Sequence, residues 1–386
     1  MSAAGIPSDG AALRRLFDHD RPPTIGVEEE LMLLDPSSFD LSPRAAELVA
    51  RLPEGAGFKL ELPASQLELM TRPCTGVGEV VEQLFALRTQ LVDAVGDDAL
   101  PAAAGAHAFS SPFGQLNSGD RYARIQHEYG PAVRAQLICG LHVHVALSGA
   151  DRVLSVYNAL RSHLPELAAL AANAPLYQGE DSGMASVRPL VAGLLPRQGV
   201  PPRIESWEEL AANLTWAARG GRIGGPREWW WELRVHPELG TLEMRVPDAQ
   251  TTVADAAAVI AVAAALVLYL AARHDAGDLP PAAPSWRIAE NRWSAARHGV
   301  HGRLVDLESG EPAETRSRLG SLLAELAPFA APIGAERWLE HAARLAERGG
   351  ADSQRDRFAS HGARGVMQQL AAAYLARYSD GGSAGP

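Results

Sequence analysis

Alternating apolar and polar residues predict strands in four parts of the chain. These parts are 24–34, 58–71, 136–147 and 229–247, the last of which is predicted to form a hairpin. Between them, apolar residues recur at steps of three and four, the spacing of one helix face. One such stripe consists of Val80, Leu84, Leu87, Leu91 and Val95. Similar spacing predicts helices across 154–167, 253–273, 315–347 and 353–378. This pattern favours an α+β fold with a mostly antiparallel sheet.

Charged residues occupy alternate positions in these strands and therefore share one face, opposite apolar neighbours. The predicted polar face carries Glu28, Glu30, Gln66, Glu68, His142, His144, Glu232, Arg234, His236, Glu243 and Arg245. Glu61 lies seven residues before Glu68, across a turn at Pro63. Polar and apolar residues routinely alternate along the strands of a sheet with one solvated face, but the polar positions are then usually Thr, Ser, Lys and Gln. A face made of Glu, His and Arg points instead to chemistry.

Carboxylates packed on one face repel one another unless cations compensate their charge. Several carboxylates with an occasional imidazole suit Mg²⁺ or Mn²⁺, which leave coordination positions open for substrate phosphates. Arg234 and Arg245 add planar forks that can bind phosphate or carboxylate. The polar face is therefore predicted to hold divalent metal and phosphate.

His142 and His144 allow an alternative, because a His-x-His pair on a strand also begins the zinc site of many amidohydrolases. Cys139 lies nearby and would suit zinc. That site needs later His and Asp ligands at the strand ends of a parallel barrel. Here the expected partners are glutamates on antiparallel strands, so a zinc hydrolase is the less favoured interpretation.

The 386-residue chain is long enough to bury a core without disulfides and is interpreted as a single catalytic domain over 1–386. The ends, about 1–22 and 379–386, are expected to be weakly ordered. Two cysteines and the absence of a signal-peptide pattern favour the cytoplasm. The uncharged run 256–272 is interpreted as a buried core helix rather than a membrane span. A net charge of −11 argues against a nucleic-acid partner.

Thirty-four of the 35 basic residues are arginine, and Lys59 is the single lysine. This composition excludes the phosphate-binding loop with an invariant lysine and the lysine motif of protein kinases. Any phosphate must therefore be neutralised by metal ions and arginine.

Six segments resemble, in order, the glutamate–cysteine ligase type 2 family, whose members are also called carboxylate–amine ligases. They are 24–34 (TIGVEEELMLL), 62–73 (LPASQLELMTRP), 139–145 (CGLHVHV), 175–188 (PLYQGEDSGMASVR), 229–248 (WWWELRVHPELGTLEMRVPD) and 290–299 (ENRWSAARHG). The resemblance runs from about residue 22 to 305. It departs from the family pattern at Glu232, where an Asp is expected.

The resemblance implies a glutamine-synthetase-like catalytic fold: an antiparallel sheet curved into a funnel, with helices on its outer face. It implies ATP and Mg²⁺, with Mn²⁺ as an alternative ion. The implied metal ligands are Glu28, Glu30, Glu61, Glu68, His142 or His144, and Glu243. Arg245 resembles the arginine that meets the transferring phosphoryl group, with Arg234 beside it.

The implied reaction joins a carboxylate to an amine through an acyl phosphate, with glutamate and cysteine as the first substrates to test. Ser182, Ser186 and Arg188 are candidates for binding the α-carboxylate, and Glu232 is a further substrate-binding candidate. Arg292 and Arg297 are candidates for nucleotide phosphate contacts, with helix capping as the alternative. A non-catalytic nucleotide-binding relative is a second alternative function. The expected partners are small molecules, with neither nucleic acid nor membrane, and a homo-oligomer is possible.

Overall fold

The computed structural model describes residues 9–376. Its helices are α1 Gly10–Arg15, α2 Ala45–Val49, α3 Val77–Val95, α4 Asp120–Tyr129, α5 Ala150–Leu160, α6 Leu164–Leu170, α7 Arg188–Ala192, α8 Trp207–Arg219, α9 Val253–Asp275, α10 Ser285–His298, α11 Thr315–Ala330, α12 Glu336–Glu347 and α13 Gly350–Ala373. Its strands are β1 Ile25–Leu34, β2 Phe58–Leu60, β3 Gln66–Met70, β4 Leu100–Ala102, β5 Leu141–Ala146, β6 Leu176–Tyr177, β7 Glu180–Asp181, β8 Leu233–His236, β9 Thr241–Met244, β10 Arg303–Val305 and β11 Pro312–Glu314.

The main sheet has the strand order β2-β3-β1-β5-β9-β8, and β4 pairs with the end of β1. All of these described pairs are antiparallel. The predicted hairpin is confirmed: β8 and β9 are joined by a four-residue turn that ends at Gly240, whose φ of 67° favours glycine. The predicted α+β class with an antiparallel sheet is therefore confirmed.

The apolar face of the sheet packs against helices, chiefly α3, α5 and α9. Helix α9 is capped at its N-terminus by Thr252, whose hydroxyl accepts a hydrogen bond from the backbone N–H of Asp255. It is 23 residues long and apolar enough to cross a membrane by length and composition. However, 83% of its most apolar window is buried inside the protein. The prediction of a core helix at this position is confirmed.

A buried ion pair joins the sheet to these helices from below. Glu29 points to the apolar face of β1, and both of its oxygens accept hydrogen bonds from Arg88 of α3, at 2.9 and 2.5 Å. Both side chains are completely buried. The Arg88 guanidinium also donates to the carbonyls of Gln250, Thr251 and Tyr374, and it lies 4.5 Å from the centre of the Tyr374 ring. One guanidinium thus connects the sheet, the segment before α9 and the chain after α13.

Two sequence expectations differ from the structure. Leu87 is only half-buried, and Arg88 takes its place on the inner stripe of α3 because Glu29 supplies a buried partner. The N-terminal segment is ordered earlier than expected: α1 begins at Gly10, and Leu13 and Phe17 are completely buried. The remaining parts of the predicted weak ends, 1–8 and 379–386, lie outside the described residues.

We expect Arg88→Met to destabilise the fold by about 3–5 kcal/mol, because it leaves the Glu29 carboxylate buried without a cation. The free energy of unfolding, measured by denaturant titration, tests this. Arg51→Met is the matched control, since Arg51 makes its ion pairs on the surface and its loss should change stability little. Equal stability of the two variants would contradict a structural role for the buried pair.

Candidate active site

Strand register places the charged residues of the polar face side by side. Glu30 on β1 lies directly opposite Glu68 on β3, and Glu28 lies opposite His142 on β5. One step further along, His144 on β5 lies opposite Glu243 on β9. Directly opposite residues in antiparallel strands are close enough for their side chains to interact. The structure therefore brings together the residues that strand parity assigned to one face.

His144, Glu28 and Glu243 form a group whose ligand atoms all lie within 4.8 Å of one another. The Nδ1 atom of His144 is 3.0 Å from the Thr241 hydroxyl, which turns Nε2 towards the two carboxylates. Nε2 is buried without a hydrogen-bond partner among the described residues, 3.6 Å from Glu28 and 3.9 Å from Glu243. A buried imidazole nitrogen fixed in this way and facing carboxylates fits a metal ion.

Two further groups of potential ligand atoms share Glu68, and the first of them also contains Glu28. One consists of Glu28, Glu68 and His142, and the other of Glu30, Glu61 and Glu68. The Nε2 atom of His142 is also buried without a hydrogen-bond partner in the described chain, 3.7 Å from Glu30. Three overlapping groups rich in carboxylate oxygen suit hard divalent cations such as Mg²⁺ or Mn²⁺.

Two arginines enclose Glu243 at the far edge of this face. Arg234, directly opposite on β8, donates to both carboxylate oxygens, and Arg245 donates to Oε1 at 2.8 Å. Burial alone would raise the pKa of Glu243, but Arg234, His144 and Arg245 outweigh burial and hold that pKa well below its ordinary value. Glu243 is therefore a fixed anion, and Arg234 is fully engaged in holding it.

The opposite edge of the face has the reverse electrostatics. Burial, reinforced by Glu61 and Glu28, raises the pKa of Glu68 to about 8. Burial and Glu30 likewise raise the pKa of Glu61. Lys59 is the cation that forms ion pairs with both carboxylates, with Nζ 2.5 Å from Glu68 and 3.8 Å from Glu61. The carboxylates at this edge therefore lack enough positive charge when no external cation is bound.

The segment that carries Glu61 is held by the chain around α4. The Asn117 side chain donates to the carbonyls of Glu61 and Pro63, and the Tyr122 hydroxyl donates to the carbonyl of Leu60. These bonds fix a segment that lies outside the regular strands. Asn117 and Tyr122 therefore position Glu61 by holding the backbone around it.

A cavity of about 150 Å³ opens beside Glu30, Glu61 and Arg245. Its remaining wall combines polar groups with an apolar patch: Leu62, Pro63, Gln66, Arg121, Ile125, Gln136, Ile138, Arg188, Pro189, Ala192, Leu195, Gln198, Trp230 and Glu232. Trp230 is held in this wall by an edge contact with Tyr129 and by the guanidinium of Arg197, 5.1 Å from its ring centre. Arg121 and Trp230 were not predicted as pocket residues, because only the long-range approach of α4 brings them there.

The other predicted binding residues divide into two sets. Arg188 and Glu232 line the cavity. Ser186 instead donates to Asp248 at 3.0 Å and is buried, so it supports the loop rather than facing the cavity. Ser182 is likewise bonded to the carbonyl of Pro175.

The two arginines of α10 differ in a similar way. Arg292 forms a buried ion pair with Glu232 at 2.7 Å, which places it directly behind the cavity wall. Arg297 is exposed and lies against the loop residue Gly183. Neither of these arginines lines the cavity.

Comparison with known proteins shows which family this chain belongs to. The family model described as glutamate-cysteine ligase family 2 (GCS2) matches residues 24–373. The chain belongs to this family. It is therefore an enzyme, an amide-bond ligase, and the family resemblance seen in the sequence motifs is confirmed.

Two relatives cover nearly the whole chain. A protein of Rubrobacter xylanophilus, named "Putative glutamate--cysteine ligase 2-3", is 39% identical over 365 residues, which span 92% of this chain and 98% of the relative. A protein of Thermobifida fusca, named "Putative glutamate--cysteine ligase 2", is 32% identical over 376 residues, which span 95% and 94% of the two chains. The match thus extends well beyond the motifs around the site.

Two solved structures share the fold at low sequence identity. The glutamate–cysteine ligase of Francisella tularensis, crystallised in complex with AMP, has a TM-score of 0.67 and 12% identity, covering 93% of this chain and 90% of its own. A bifunctional glutathione synthetase of Pasteurella multocida has a TM-score of 0.66 and 16% identity, covering 95% of this chain and 53% of its own. At these identities the likeness concerns the fold.

We expect metal-free protein to lose stability as pH rises from about 5 to 8, in part because of Glu68. The folded-state pKa of Glu68 is about 8, above its ordinary value, so the folded protein keeps a proton that the unfolded chain releases. Melting temperatures in chelator at pH 6 and pH 8 test this. Glu68→Gln should reduce the difference by several degrees, whereas the exposed Glu54→Gln should not. An unchanged difference in Glu68→Gln would contradict the assignment.

Proposed function

We propose that this protein is an ATP-dependent carboxylate–amine ligase that joins glutamate to cysteine through an acyl phosphate. One observation carries the proposal: three overlapping groups of cation ligands lie on one sheet face beside Arg245 and the adjoining cavity. Phosphoryl transfer requires this combination, because its catalysis consists mainly of positioning and charge stabilisation. The family assignment supports the same reaction class.

The proposed cation ligands are Glu28, Glu30, Glu61, Glu68, His142, His144 and Glu243. When bound, Mg²⁺ would neutralise and orient the triphosphate. The chain itself can compensate phosphate charge almost only with arginine, because it has a single lysine. Of the two histidines, His144 has the better-defined geometry, because Thr241 fixes its ring. The unpartnered Nε2 atoms supply evidence for a cation that the carboxylates alone would not.

Arg245 is the proposed contact to the transferring phosphoryl group. One of its nitrogens is bonded to Glu243, which holds the guanidinium over the polar face, and the residue lines the cavity. Arg234 is proposed as a positioning residue, because its bonds to Glu243 and to the carbonyls of Arg227 and Trp229 use its donors. The two arginines thus have different roles although they share one carboxylate.

The cavity is proposed to bind the amino-acid substrates. Arg121 is exposed, lines the cavity and forms no ion pair within the described residues, so it can receive a substrate carboxylate. Glu232 is partly neutralised by Arg292 from behind, which leaves its outer side available for a substrate ammonium group. Arg188 donates to the carbonyls of Arg245 and Val246, so it supports Arg245 from the backbone side.

In the proposed reaction, a carboxylate oxygen of glutamate attacks the γ-phosphorus of ATP, and ADP leaves. The amine nitrogen of cysteine then attacks the carbonyl carbon, and phosphate leaves as the amide forms. Arg245 would hold the phosphoryl oxygens through both steps, and the cavity wall would keep the acyl phosphate away from bulk water. The cytoplasm, with its supply of ATP and free thiols, is the proposed location.

The zinc hydrolase alternative loses support from the partners of the histidines. His142 and His144 face glutamates of neighbouring antiparallel strands, and Cys139 is completely buried in the core. A catalytic zinc site with nitrogen-rich ligation would need further histidines in the same group. None of the described ligand groups contains more than one histidine.

The reaction can be tested with ATP, Mg²⁺, glutamate and hydroxylamine, which intercepts an acyl phosphate as a coloured hydroxamate. We expect hydroxamate and ADP, and with cysteine we expect amide and phosphate. Donor labelled with ¹⁸O in its carboxylate should transfer one labelled oxygen to phosphate. AMP and pyrophosphate as products, or unlabelled phosphate, would contradict the acyl-phosphate route. Glu243→Gln, which keeps the side-chain volume, is expected to abolish hydroxamate formation and serves as the inactive control.

We expect Arg245→Lys to lose nearly as much activity as Arg245→Ala. Lysine retains the charge but lacks the planar fork that spans two phosphoryl oxygens while also bonding Glu243. The loss should be about 100-fold or more in kcat, with a smaller change in the KM for ATP, because the contact strengthens in the transition state. Arg203→Lys, an exposed site away from the cavity, is the matched control. A near-normal kcat in Arg245→Lys would contradict the prediction, because it would show that Arg245 contributes only its positive charge.

A further inference from the structure

Lys59, the only lysine of the chain, lies on the cation-binding face rather than on the outer surface. On the edge strand β2 it stands directly opposite Glu68. Its Nζ atom is 2.5 Å from a Glu68 oxygen and 3.8 Å from a Glu61 oxygen. These two carboxylates, together with Glu30, form one of the three groups of cation ligands. The ammonium group is therefore paired with carboxylates that a divalent cation would need.

The chemistry of lysine differs from that of the arginines at the other edge of the face. Arg234 grips both oxygens of Glu243 and is also bonded to two backbone carbonyls, so it is fixed. Lys59 is a point charge on a flexible stem, bonded to a single oxygen of Glu68, and 37% of its side chain is exposed. In a chain that otherwise uses arginine throughout, the cation at this site is a point charge that can leave its carboxylate by breaking a single hydrogen bond.

We propose that Lys59 is a resident, displaceable cation. In the metal-free protein it holds Glu68 and Glu61 in place, and it leaves Glu68 when a divalent cation binds to Glu30, Glu61 and Glu68. Lys59 is thus a positioning residue that sets the cation affinity of this group. The inference rests on the proposed metal site, but it does not depend on which amino acids are joined.

Two substitutions with opposite expected effects test this inference through Mn²⁺ binding at pH 8, measured by calorimetry and electron paramagnetic resonance. Lys59→Met removes the competing charge but keeps an unbranched stem, and it should tighten Mn²⁺ binding about five- to tenfold. Removing the ammonium group also makes the carboxylates bind protons more strongly. The affinity for a divalent cation should nevertheless rise, because its electrostatic gain is twice that of a proton. Lys59→Arg should weaken binding, because its fork would hold Glu68 through two oxygens.

Arg303→Met is the matched control, since it removes one exposed positive charge that does not line the cavity and should leave Mn²⁺ affinity unchanged. A merely structural role for Lys59 would lower the affinity in both Lys59 variants, and this result would overturn the proposal. Unchanged affinity in Lys59→Met would also overturn it, while leaving the metal site intact. Absence of Mn²⁺ binding by the wild-type protein, or binding unaffected by Glu61→Gln, would overturn the metal site together with the inference.

The single lysine also permits a direct measurement on the wild-type protein. Labelling with lysine that carries ¹³C at its ε-carbon gives one lysine resonance from the whole chain. Saturating Mg²⁺ should shift this resonance as the ammonium leaves Glu68, and Glu68→Gln should abolish most of the shift. A resonance that does not move at Mg²⁺ saturation would show that Lys59 stays on Glu68, and the proposal would be wrong.

Discussion

Repulsion between carboxylates on one sheet face is the constraint around which this protein is arranged. Glu28, Glu30, Glu61, Glu68 and Glu243 lie close enough to share ligand groups less than 4.8 Å across. The basic side chains lie at the two edges: Arg234 and Arg245 on Glu243, and Lys59 on Glu68. The centre of the face depends on two histidines and on charge from outside. Such a face is more stable with a cation than without one, so the same repulsion that weakens the empty protein favours metal binding.

A buried ion pair on the apolar side of the sheet stabilises the strand that carries the repelling carboxylates. The Glu29–Arg88 pair lies on the apolar side of β1 and ties this strand to α3, to the segment before α9 and to the chain after α13. Ligand groups must be held within about 0.5 Å to be selective, and that requires a rigid strand beneath them. Adjacent glutamates of β1 therefore have different roles: Glu28 and Glu30 face the proposed cation site, while Glu29 anchors the strand that carries them.

Much of the site could be predicted because strand parity is a local property. It placed Glu28, Glu30, His142, His144 and Glu243 on one face before any pairing was known, and the register then joined them. What the sequence concealed were partners distant in the chain. The importance of Arg88 depends on a glutamate 59 residues away, and that of Ser186 on Asp248, 62 residues away. No periodicity distinguishes such residues from exposed neighbours, since their burial is stabilised only by a partner in the folded state.

One long-range contact, the ion pair with Glu232, decides which substrate Arg292 is suited to bind. As a free arginine it would suit nucleotide phosphate, but its ion pair with Glu232 neutralises much of its charge and buries it. The pair instead gives the cavity wall a carboxylate whose orientation is fixed from behind. The cavity wall thus carries both a fixed carboxylate, Glu232, and the guanidinium of Arg121, which forms no ion pair within the described residues. The opposed charges of an amino acid match these two groups better than a phosphate does, which supports the proposal that Arg292 acts on the amino-acid substrate through Glu232 rather than on the nucleotide.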